Sequence, residues 1–540
     1  MSERISADLC IIGAGSGGLS VAAGAAQVGA RVVLIEAHRM GGDCLNYGCV
    51  PSKALIAAAR AAEAQRSPDR LGIAAQEPQV DYGAVMDHVH GTINAIAPHD
   101  SVERFEGLGV RVIQAHGSFT GPAEVAAGGA VIAARRFVVA TGSSPATPPI
   151  PGLDSVSFLT NEFLWDNRTL PETLIVIGGG PIGIELAQAH RRLGSRVVVL
   201  EALTALGRED PEIAAVALDR LRAERVEIRE QAKVAEVGGT AGAIRVTLEG
   251  GETVTGTHLL VATGRQANVE GLGLEAAGVE FDRRGVTVDK GLRSVSNRRI
   301  YAICDVTGGE AGGLQFTHIA NYHAGLVIRS ALFRLPVTDR PELMPRVTYC
   351  DPEIAQAGLT DAEARERHGA AVEVHRFPFA ENDRALAAGK TEGFVKAVVG
   401  RRGRILGCSI VGSQAGELIH PWAMALASGL KIKAMAGYVA PYPTLGEAGK
   451  RAAGAYYAPR LFGSRWVRLA VRLLARLGSG ITIPREHRGS TGTVMALFRG
   501  LSGRLLVLTI LVVMLVEVAI FVPSVARFRA DYLQERVVRA

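Results

Sequence analysis

The chain of 540 residues is too long for one ordinary hydrophobic core, so about three domains are expected. Its hydrophobic share of 48% and charged share of 21% are those of a folded globular protein and exclude a disordered one. The net charge of +6 comes from basic residues scattered through the globular part and denser towards the end, which favours a solvated surface over nucleic-acid binding.

The predicted elements begin with a βαβ unit. The apolar run Ala7–Ile12 predicts a buried parallel strand, and Gly13–Gly18 predicts a tight turn after it. An alanine-rich stretch to Gly29 predicts a helix, which leads to a second strand at Arg31–Ile35. Such a unit is the start of a dinucleotide-binding domain.

The same order of elements returns later in the chain. Leu174–Ile177 predicts a strand and Gly178–Gly183 a turn, followed by a helix to Leu193 and a strand at Arg196–Leu200. Two βαβ units predict two nucleotide-binding domains, with the second inserted into the first. Between 345 and 459 the pattern changes to mixed strands and helices, which predicts a separate α+β domain.

Both turns have the spacing Gly-x-Gly-x-x-Gly, and their glycines are Gly13, Gly15 and Gly18, then Gly178, Gly180 and Gly183. About one match is expected by chance at this glycine content, so the context decides. An acidic residue, Glu36 or Glu201, follows 23 positions after the first glycine of each motif. Glycines let a pyrophosphate approach a helix N-terminus, and the carboxylate accepts hydrogen bonds from ribose hydroxyls. The Glu201 carboxylate repels a 2′-phosphate, so NADH is favoured over NADPH. Arg208 lies nearby, so NADPH stays open as the alternative coenzyme.

Two of the six cysteines, Cys44 and Cys49, directly follow the first βαβ unit at the start of a predicted helix. A helix dipole lowers the pKa of a nearby thiol. The alternatives are a zinc half-site and a pair of buried thiols. Zinc needs four ligands, and the sequence offers no second cysteine pair or local histidine cluster, so no metal site is predicted. A redox-active pair in a reducing compartment is the favoured interpretation.

The stretch GGDCLNYGCVPSK, from Gly41 to Lys53, resembles the signature of the class I pyridine nucleotide-disulfide oxidoreductases, which include dihydrolipoamide dehydrogenase, glutathione reductase and mercuric reductase. The resemblance covers roughly Ala7–Tyr457. It implies an α/β fold with two Rossmann-like domains, for FAD and for NAD(H) or less favourably NADP(H), and an α+β dimerisation domain that makes a homodimer. The segments expected are 1–150 (first segment of the FAD-binding domain), 151–270 (NAD(P)-binding domain), 271–344 (second segment of the FAD-binding domain), 345–459 (dimerisation domain), 460–480 (basic amphipathic helix), 481–500 (linker), 501–524 (transmembrane segment) and 525–540 (tail).

The resemblance also implies the ligands of both cofactors. Those for FAD are Gly13, Gly15, Gly18, Glu36, Gly42, Lys53, Gly117, Thr141, Gly142 and Asp305. Those for the nicotinamide nucleotide are Gly178, Gly180, Gly183, Glu201 and Gly264. The family has a glycine before the aspartate, where this chain has Cys304, a departure that would crowd the flavin. We interpret Cys304 as a small packed residue rather than a third redox thiol.

The same resemblance implies how the cysteines act. Cys49 is the thiol against the flavin, and Cys44 is the interchange thiol that attacks a small-molecule acceptor. Lys53 lies near the flavin, and Glu185 is its ion-pair partner. NADH then supplies the two electrons that open the Cys44–Cys49 disulfide.

One motif departs from the family. Relatives carry His-Pro-Thr-x-x-Glu, an acid–base pair contributed by the partner subunit, where this chain has Tyr442 and Glu447. A phenol with a pKa near 10 is a poor base, and losing a positioned acid–base group costs about 10²–10⁴-fold in rate. Mercuric reductases also carry tyrosine here, but this sequence has no cysteine after Cys408 for their C-terminal metal-binding pair. His420, the nearest histidine upstream, is interpreted as structural.

Two segments near the C-terminus predict contact with a membrane. Ser464–Leu477 is an amphipathic helix, and both an anionic membrane surface and the globular body are open as its partner. Its basic and apolar faces are formed by Arg465, Arg468, Arg472 and Arg476, and by Trp466, Leu469, Leu473 and Leu477. Leu505–Val522 has 18 residues with Glu517 as its only charge, enough to cross a bilayer. We therefore expect catalytic domains in the cytoplasm that are attached to the inner membrane by this segment.

Three functions remain open. The first is a flavin-dependent NAD(P)H reductase that passes electrons through Cys44 and Cys49 to a disulfide, a thiol-bound metal or a related acceptor. The second is a membrane NADH dehydrogenase with a quinone acceptor, and the third is a redox sensor without multiple turnover. Only the first requires both cysteines for its turnover.

Overall fold

The computed structural model of the chain describes residues 3–66, 71–310 and 312–477. It forms two units, Met1–Gly463 and Ser464–Ala540. The first unit contains the sheets, and each of its segments is taken in turn below.

The first segment forms a sheet around β1. Residues 3–145 form strands β1 (Glu3–Ile12), β2 (Val32–Glu36), β3 (Arg111–Gln114), β4 (Ser118–Gly121), β5 (Glu124–Ala127), β6 (Ala130–Val139) and β7 (Ser143–Pro145), and helices α1 (Ser16–Gln27), α2 (Gly42–Asn46), α3 (Cys49–Arg66), α4 (Tyr82–Ile96) and α5 (Val102–Gly107). Strands β2 and β6 pair with β1 in parallel, and the order is β3-β2-β1-β6-β5-β4. The apolar half of β1, from Leu9 to Ile12, is fully buried, as expected for a central parallel strand.

The second segment repeats the βαβ arrangement. Residues 173–267 form strands β8 (Thr173–Ile177), β9 (Arg196–Leu200), β10 (Glu227–Arg229), β11 (Val234–Thr240), β12 (Ala243–Leu248), β13 (Thr253–Gly256), β14 (His258–Val261) and β15 (Arg265–Ala267), and helices α6 (Pro181–Leu193) and α7 (Pro211–Ala223). A parallel sheet has the order β10-β9-β8-β14, and β11-β12-β13 form an antiparallel sheet. Strand β15 pairs with β7 and so returns the chain to the first segment.

The third segment completes the first sheet. Residues 281–331 form strands β16 (Phe281–Asp282), β17 (Gly285–Val288), β18 (Ile300–Ala302) and β19 (Thr307–Gly309), and helix α8 (Thr317–Ala331). Strand β18 pairs in parallel with β6, and α8 packs on α1. The second nucleotide-binding fold is therefore inserted into the first.

The fourth segment is an α+β layer. Residues 346–462 form strands β20 (Arg346–Thr348), β21 (Glu353–Gly358), β22 (Glu373–Pro378), β23 (Phe394–Val399) and β24 (Ile405–Gly412), and helices α9 (Asp361–His368), α10 (Asp383–Ala387), α11 (Ala415–Leu418), α12 (His420–Ala427), α13 (Ile432–Gly437), α14 (Glu447–Ala455) and α15 (Ala458–Phe462). The antiparallel sheet has the order β20-β21-β24-β23-β22. Trp422 of α12 is buried in its core.

The second unit is described by one helix, α16 (Arg465–Leu477). Its apolar side chains between Trp466 and Leu474 are exposed, with Trp466 80% exposed. Within residues 3–66, 71–310 and 312–477, no helix has the length and apolar character needed to cross a bilayer. The predicted linker 481–500, transmembrane segment 501–524 and tail 525–540 lie outside the described residues.

Candidate active site

The first glycine turn closes tightly between β1 and α1. Gly13 has φ +104°, and a Cβ atom there would lie 2.4 Å from the carbonyl oxygen of Ala140. A Cβ atom at Gly18 would lie 1.8 Å from the carbonyl oxygen of Gly13. Side chains are thus excluded, and the backbone of Gly15 is left facing the cavity described below. The inserted nucleotide-binding fold repeats this turn with Gly178, Gly180 and Gly183.

An acidic side chain anchors each turn. Glu36 accepts hydrogen bonds from the Ala14 N–H at 2.6 Å and the His38 N–H at 2.7 Å. Glu201 likewise accepts from the N–H groups of Gly179 at 2.7 Å and Leu203 at 2.8 Å. Each carboxylate therefore lies at the edge of its turn, where the ribose of a dinucleotide is expected.

A large cavity of about 2020 Å³ runs along the first unit. It is larger than the roughly 300–1,000 Å³ of a typical small-molecule site, so it has room for more than one ligand. Its wall includes twelve predicted site residues: Gly13, Gly15, Glu36, Gly42, Cys44, Cys49, Lys53, Gly117, Thr141, Gly142, Glu185 and Asp305. The remaining predicted site residues lie outside that wall: Gly18, Gly178, Gly180, Gly183, Glu201, Gly264, Tyr442 and Glu447.

The residues on this wall fit FAD. The glycine turn has no room for side chains. A Cβ atom at Gly42 would lie 2.6 Å from the Cα of Gly15, so the two glycines pack closely together and leave this part of the cavity free of side chains. Further along the wall, Gly117 packs on Ile35, where a Cβ atom would lie 3.1 Å from the Ile35 Cγ2. Asp305 adds a carboxylate that can accept hydrogen bonds from the ribitol hydroxyls.

Asp305 is held by its neighbours. The Ser143 hydroxyl donates to its Oδ2 at 2.6 Å, and the Cys304 thiol donates to its Oδ1 at 3.0 Å. Cys304 has φ +61°, a left-handed conformation that favours glycine, which is the family's usual residue there. Burial raises the pKa of the Cys304 thiol well above its ordinary value, and the Asp305 charge adds to this. Cys304 therefore stays a protonated donor in the cavity wall.

The two redox cysteines lie side by side. Cys44 is in α2, Cys49 opens α3, and both are free thiols whose sulfur atoms interact directly. The Cys49 Sγ also lies 3.3 Å from the Thr317 Oγ1. The hydrogen bond from Cys44 lowers the pKa of Cys49 to about 6, and Thr317 and Lys53 contribute, against the opposing effect of burial. The pKa of Cys44 is raised by the same contact, because Cys44 holds the shared proton.

Lys53 and Glu185 join the two nucleotide-binding folds. Lys53 is on α3 and Glu185 on α6, and the Lys53 Nζ lies 2.8 Å from the Glu185 Oε2. The other carboxylate oxygen accepts from the Tyr349 N–H at 2.8 Å, and the ammonium lies 4.4 Å from the centre of the Tyr349 ring. Burial lowers the pKa of Lys53, but the charge and hydrogen bond of Glu185, together with the Cys49 and Tyr349 charges, outweigh burial and leave that pKa raised. A fixed positive charge thus lies one helical turn from Cys49.

Tyr442 and Glu447 lie on the surface of the fourth segment. Tyr442 is 70% exposed, and its hydroxyl donates to the Asp383 Oδ2 at 3.0 Å. That hydrogen bond raises the pKa of Tyr442, which makes the phenol a still poorer base. Glu447 is the first residue of α14.

Two wall residues were not predicted from the sequence, and a third, His420, was assigned a different role. Thr317 reaches Cys49 from 268 positions away, and no local pattern marks it. Arg265 directly follows the expected ligand Gly264, and its charge was an available signal. His420, interpreted above as structural, lines the cavity and has its Nδ1 3.0 Å from the Glu417 carbonyl oxygen.

These features define a class of protein, a dithiol oxidoreductase that uses a flavin and a nicotinamide nucleotide. The features are two dinucleotide-binding turns, a cavity lined by both nucleotide-binding folds, and the Cys49 thiol with its lowered pKa beside Cys44. The chain belongs to the pyridine nucleotide-disulphide oxidoreductase family, whose model matches residues 7–324. The dimerisation domain of the same family matches residues 344–453. The family binds FAD and NAD(P)H, and the chain is an oxidoreductase acting on a sulfur group.

Named relatives cover most of the chain. A mercuric reductase of Streptomyces lividans is 36% identical over 457 residues, which are 83% of this chain and 95% of the relative. A dihydrolipoyl dehydrogenase of Thermus scotoductus is 35% identical over 471 residues, 83% of this chain and 97% of the relative.

Solved structures show the same fold at 28% identity. The HOCl-induced flavoprotein disulfide reductase RclA of Escherichia coli, in a Cu(II) complex, has a TM-score of 0.74 and matches 82% of this chain and 98% of its own. LpdA of Mycobacterium tuberculosis has a TM-score of 0.76 and matches 84% of this chain and 99% of its own.

Proposed function

We propose that the chain is an NADH-dependent reductase that passes two electrons through FAD and the Cys44–Cys49 pair to an acceptor that binds through sulfur. A thiophilic metal ion is favoured over a small disulfide. The observation that carries this proposal is the acidic Cys49 thiol in contact with Cys44 on the cavity wall.

The chain's own residues divide the work. The wall residues Gly13, Gly15 and Asp305 would hold FAD, which would supply the two-electron chemistry between NADH and the cysteine disulfide. Cys49 holds the thiolate, which Lys53 and Thr317 stabilise, and Cys44 is the thiol left to take the acceptor. The ion pair with Glu185 keeps Lys53 charged. The electrostatic field at Cys44 and Cys49 is therefore set by the protein before any ligand binds.

The residue at position 442 favours a metal ion as acceptor. Reduction of a disulfide releases a thiolate that needs a proton, and a phenol with a raised pKa is poorly suited to give and retake it near neutral pH. A soft metal ion needs no such proton, because thiolates are its preferred ligands.

With a divalent ion such as Hg(II), one NADH and one ion give NAD⁺, H⁺ and the metal. With Cu(II), one NADH reduces two ions to Cu(I). Mercuric reductases among the relatives, and the Cu(II) complex of RclA, support this choice.

The preference for NADH over NADPH rests on Glu201, whose carboxylate at the second turn repels a 2′-phosphate. A homodimer is proposed from the match to the dimerisation domain. In that dimer, Tyr442 and Glu447 would be offered to the partner's cavity.

We also propose that the catalytic unit faces the cytoplasm and is held at the inner membrane. Helix α16 has exposed apolar side chains, and the stretch 464–477 has arginines but no acidic residue, which suits an anionic lipid surface. Anionic vesicles should shift the fluorescence of Trp466 to the blue, because the other two tryptophans, Trp165 and Trp422, are buried. The same result with zwitterionic vesicles, or with Arg468→Glu/Arg472→Glu, would contradict an electrostatic contact.

Anaerobic titration of the FAD-loaded full chain with NADH tests the main proposal. After two electrons, a long-wavelength thiolate–flavin absorbance should appear, and Cys49→Ser should abolish it while Cys44→Ser retains it. Mercuric ion and Cu(II) should then be turned over faster than lipoamide or glutathione disulfide. Normal flavin bleaching without the long-wavelength band in the wild type would refute the thiol roles. Turnover with quinones that survives the Cys44→Ser/Cys49→Ser variant would instead favour the quinone-linked dehydrogenase.

A further inference from the structure

Arg265 lies where the chain returns from the inserted nucleotide-binding fold to the first sheet. It opens β15, and its side chain is only 11% exposed. The Arg265 Nε donates to the Ser143 Oγ at 2.7 Å, and an Nη donates to the Ser143 carbonyl oxygen at 2.6 Å. Two hydrogen bonds to one residue hold the guanidinium in one orientation.

That guanidinium lies between two carboxylates. It is 3.2 Å from the Asp43 Oδ1 and 3.8 Å from the Asp305 Oδ2. Asp305 belongs to the flavin side of the cavity. Asp43 directly precedes Cys44 in the segment Asp43–Cys49, which we call the cysteine turn. One cation therefore connects the redox turn, the Ser143 strand and the expected ribitol site.

The Asp43 carboxylate is pressed against the cysteine turn. A Cβ atom at Gly48, the residue before Cys49, would lie 2.8 Å from the Asp43 Oδ2. Asn161 donates to the Asp43 Oδ1 at 3.2 Å. Burial raises the pKa of Asp43 and the nearby Asp305 adds to this, while Arg265 opposes both. The charge of Asp43 in turn opposes ionisation of Cys49.

We propose that Arg265 is a positioning residue that neutralises Asp43 and holds the cysteine turn against the flavin wall, so that the negative charge of the turn is carried by Cys49. This rests on the proposed function, because it assigns a role within the same site. The charged or polar groups that face Cys49 are Cys44, Asp43, Lys53, Thr317 and Tyr349. Those that face Asp43 are Arg265, Asp305, Asn161 and Glu162.

A double-mutant cycle at Arg265 and Asp43 tests the proposal. The FAD-loaded full chain is reduced by two electrons, and the long-wavelength thiolate–flavin absorbance is titrated against pH. Arg265→Gln leaves Asp43 without a counter-charge and should raise the midpoint by about one pH unit, the size expected for one nearby unpaired carboxylate. Asp43→Asn should lower it. The double variant should return it close to the wild-type value, because both charges are removed together.

Three controls keep the test decisive. Arg265→Lys retains the charge and should keep the midpoint, whereas Arg298→Gln breaks a 2.7 Å pair with Asp289 outside the cavity wall and should change nothing. The pH dependence of Cys49 alkylation in the reduced chain, mapped by peptide mass spectrometry, gives the same midpoint should a variant lose its flavin.

Two outcomes overturn the proposal: an unchanged midpoint in Arg265→Gln, or a double variant shifted as far as Arg265→Gln alone. Either result can occur with a normal long-wavelength band in the wild type, in which case the proposed function stands. Absence of that band in the wild type is the separate failure of the proposed function.

Discussion

The two dinucleotide-binding folds have almost the same turn and different surroundings. In each, a carboxylate accepts two backbone N–H groups beside a glycine turn, at 2.6 and 2.7 Å from Glu36 and at 2.7 and 2.8 Å from Glu201. Of the two turns, the first lines the cavity and is followed by the cysteine pair. The inserted fold reaches the cavity through α6, with Glu185, and through β15, with Arg265. Local sequence therefore specifies the dinucleotide-binding turn, and the segment packed beside that turn specifies the chemistry.

The largest expected effect separates the two turns. Gly18→Ala and Gly183→Ala are matched, since a Cβ atom would lie 1.8 Å and 2.0 Å from a carbonyl oxygen of the same turn. Gly18→Ala should leave the purified protein without the visible absorbance of bound flavin. Gly183→Ala should keep the flavin but raise the KM for NADH by at least about tenfold, which is about 1.4 kcal/mol. Equal flavin loss in both variants would show that the turns are not specialised.

The next effect concerns the bridge between the two folds. Lys53→Met should slow anaerobic flavin reduction by NADH about 10²-fold in stopped-flow measurements, because it removes a fixed charge from the reaction site, while flavin content stays normal. Arg60→Met is the matched control: Arg60 is on the same helix and pairs with Glu353 at 2.8 Å outside the cavity wall. Equal slowing by both variants would mean that α3 has merely been destabilised.

A smaller effect is expected on coenzyme choice. Glu201→Gln removes the charge that repels a 2′-phosphate, so the ratio of kcat/KM for NADH to that for NADPH should fall by about tenfold. Glu36→Gln, the equivalent change at the first turn, should leave this ratio unchanged and weaken flavin retention instead. A ratio altered by Glu36→Gln would contradict the assignment of the two turns.

The smallest effect is a pH dependence at the cysteine turn. The pKa of Cys49 is lowered from 9.0 to about 6, so Cys49 takes up a proton as the pH falls through about 6 and the thiolate–flavin absorbance should be lost there. By linkage, the stability from this thiolate is full above about pH 9 and lost as the pH falls through about 6. Thr317→Val should move the absorbance midpoint upwards by less than about one pH unit, because Thr317 contributes less than Cys44. A downward shift would contradict a stabilising contact.

Periodic segments could be predicted closely from the sequence. The strand Arg196–Leu200 has the predicted bounds, because the unbroken apolar run after Arg196 is buried, as in a parallel strand covered on both faces. The first strand begins at Glu3 rather than at the predicted Ala7, because its polar start pairs with Ala130–Ala133 of β6. Pairing with a strand more than a hundred residues away leaves no local signal.

The site was predictable where its chemistry is local. Cys44 in α2 and Cys49 at the start of α3 are close in the sequence, and their spacing is enough to suggest contact. Arg265 and Thr317 act on that turn from other segments, and only the packed fold brings them within hydrogen-bond distance. The environment of the thiols is therefore a tertiary property, whereas their identity is a local one.

The contact between Cys49 and Thr317 has a consequence for biosynthesis. A ribosome-bound chain that has emerged only past the cysteine motif lacks the Thr317 hydroxyl, which is made 268 residues later and adds to the stabilisation of the Cys49 thiolate. We therefore expect the complete set of contacts that stabilises this thiolate only after the segment that carries Thr317 has been synthesised and has packed against Cys49.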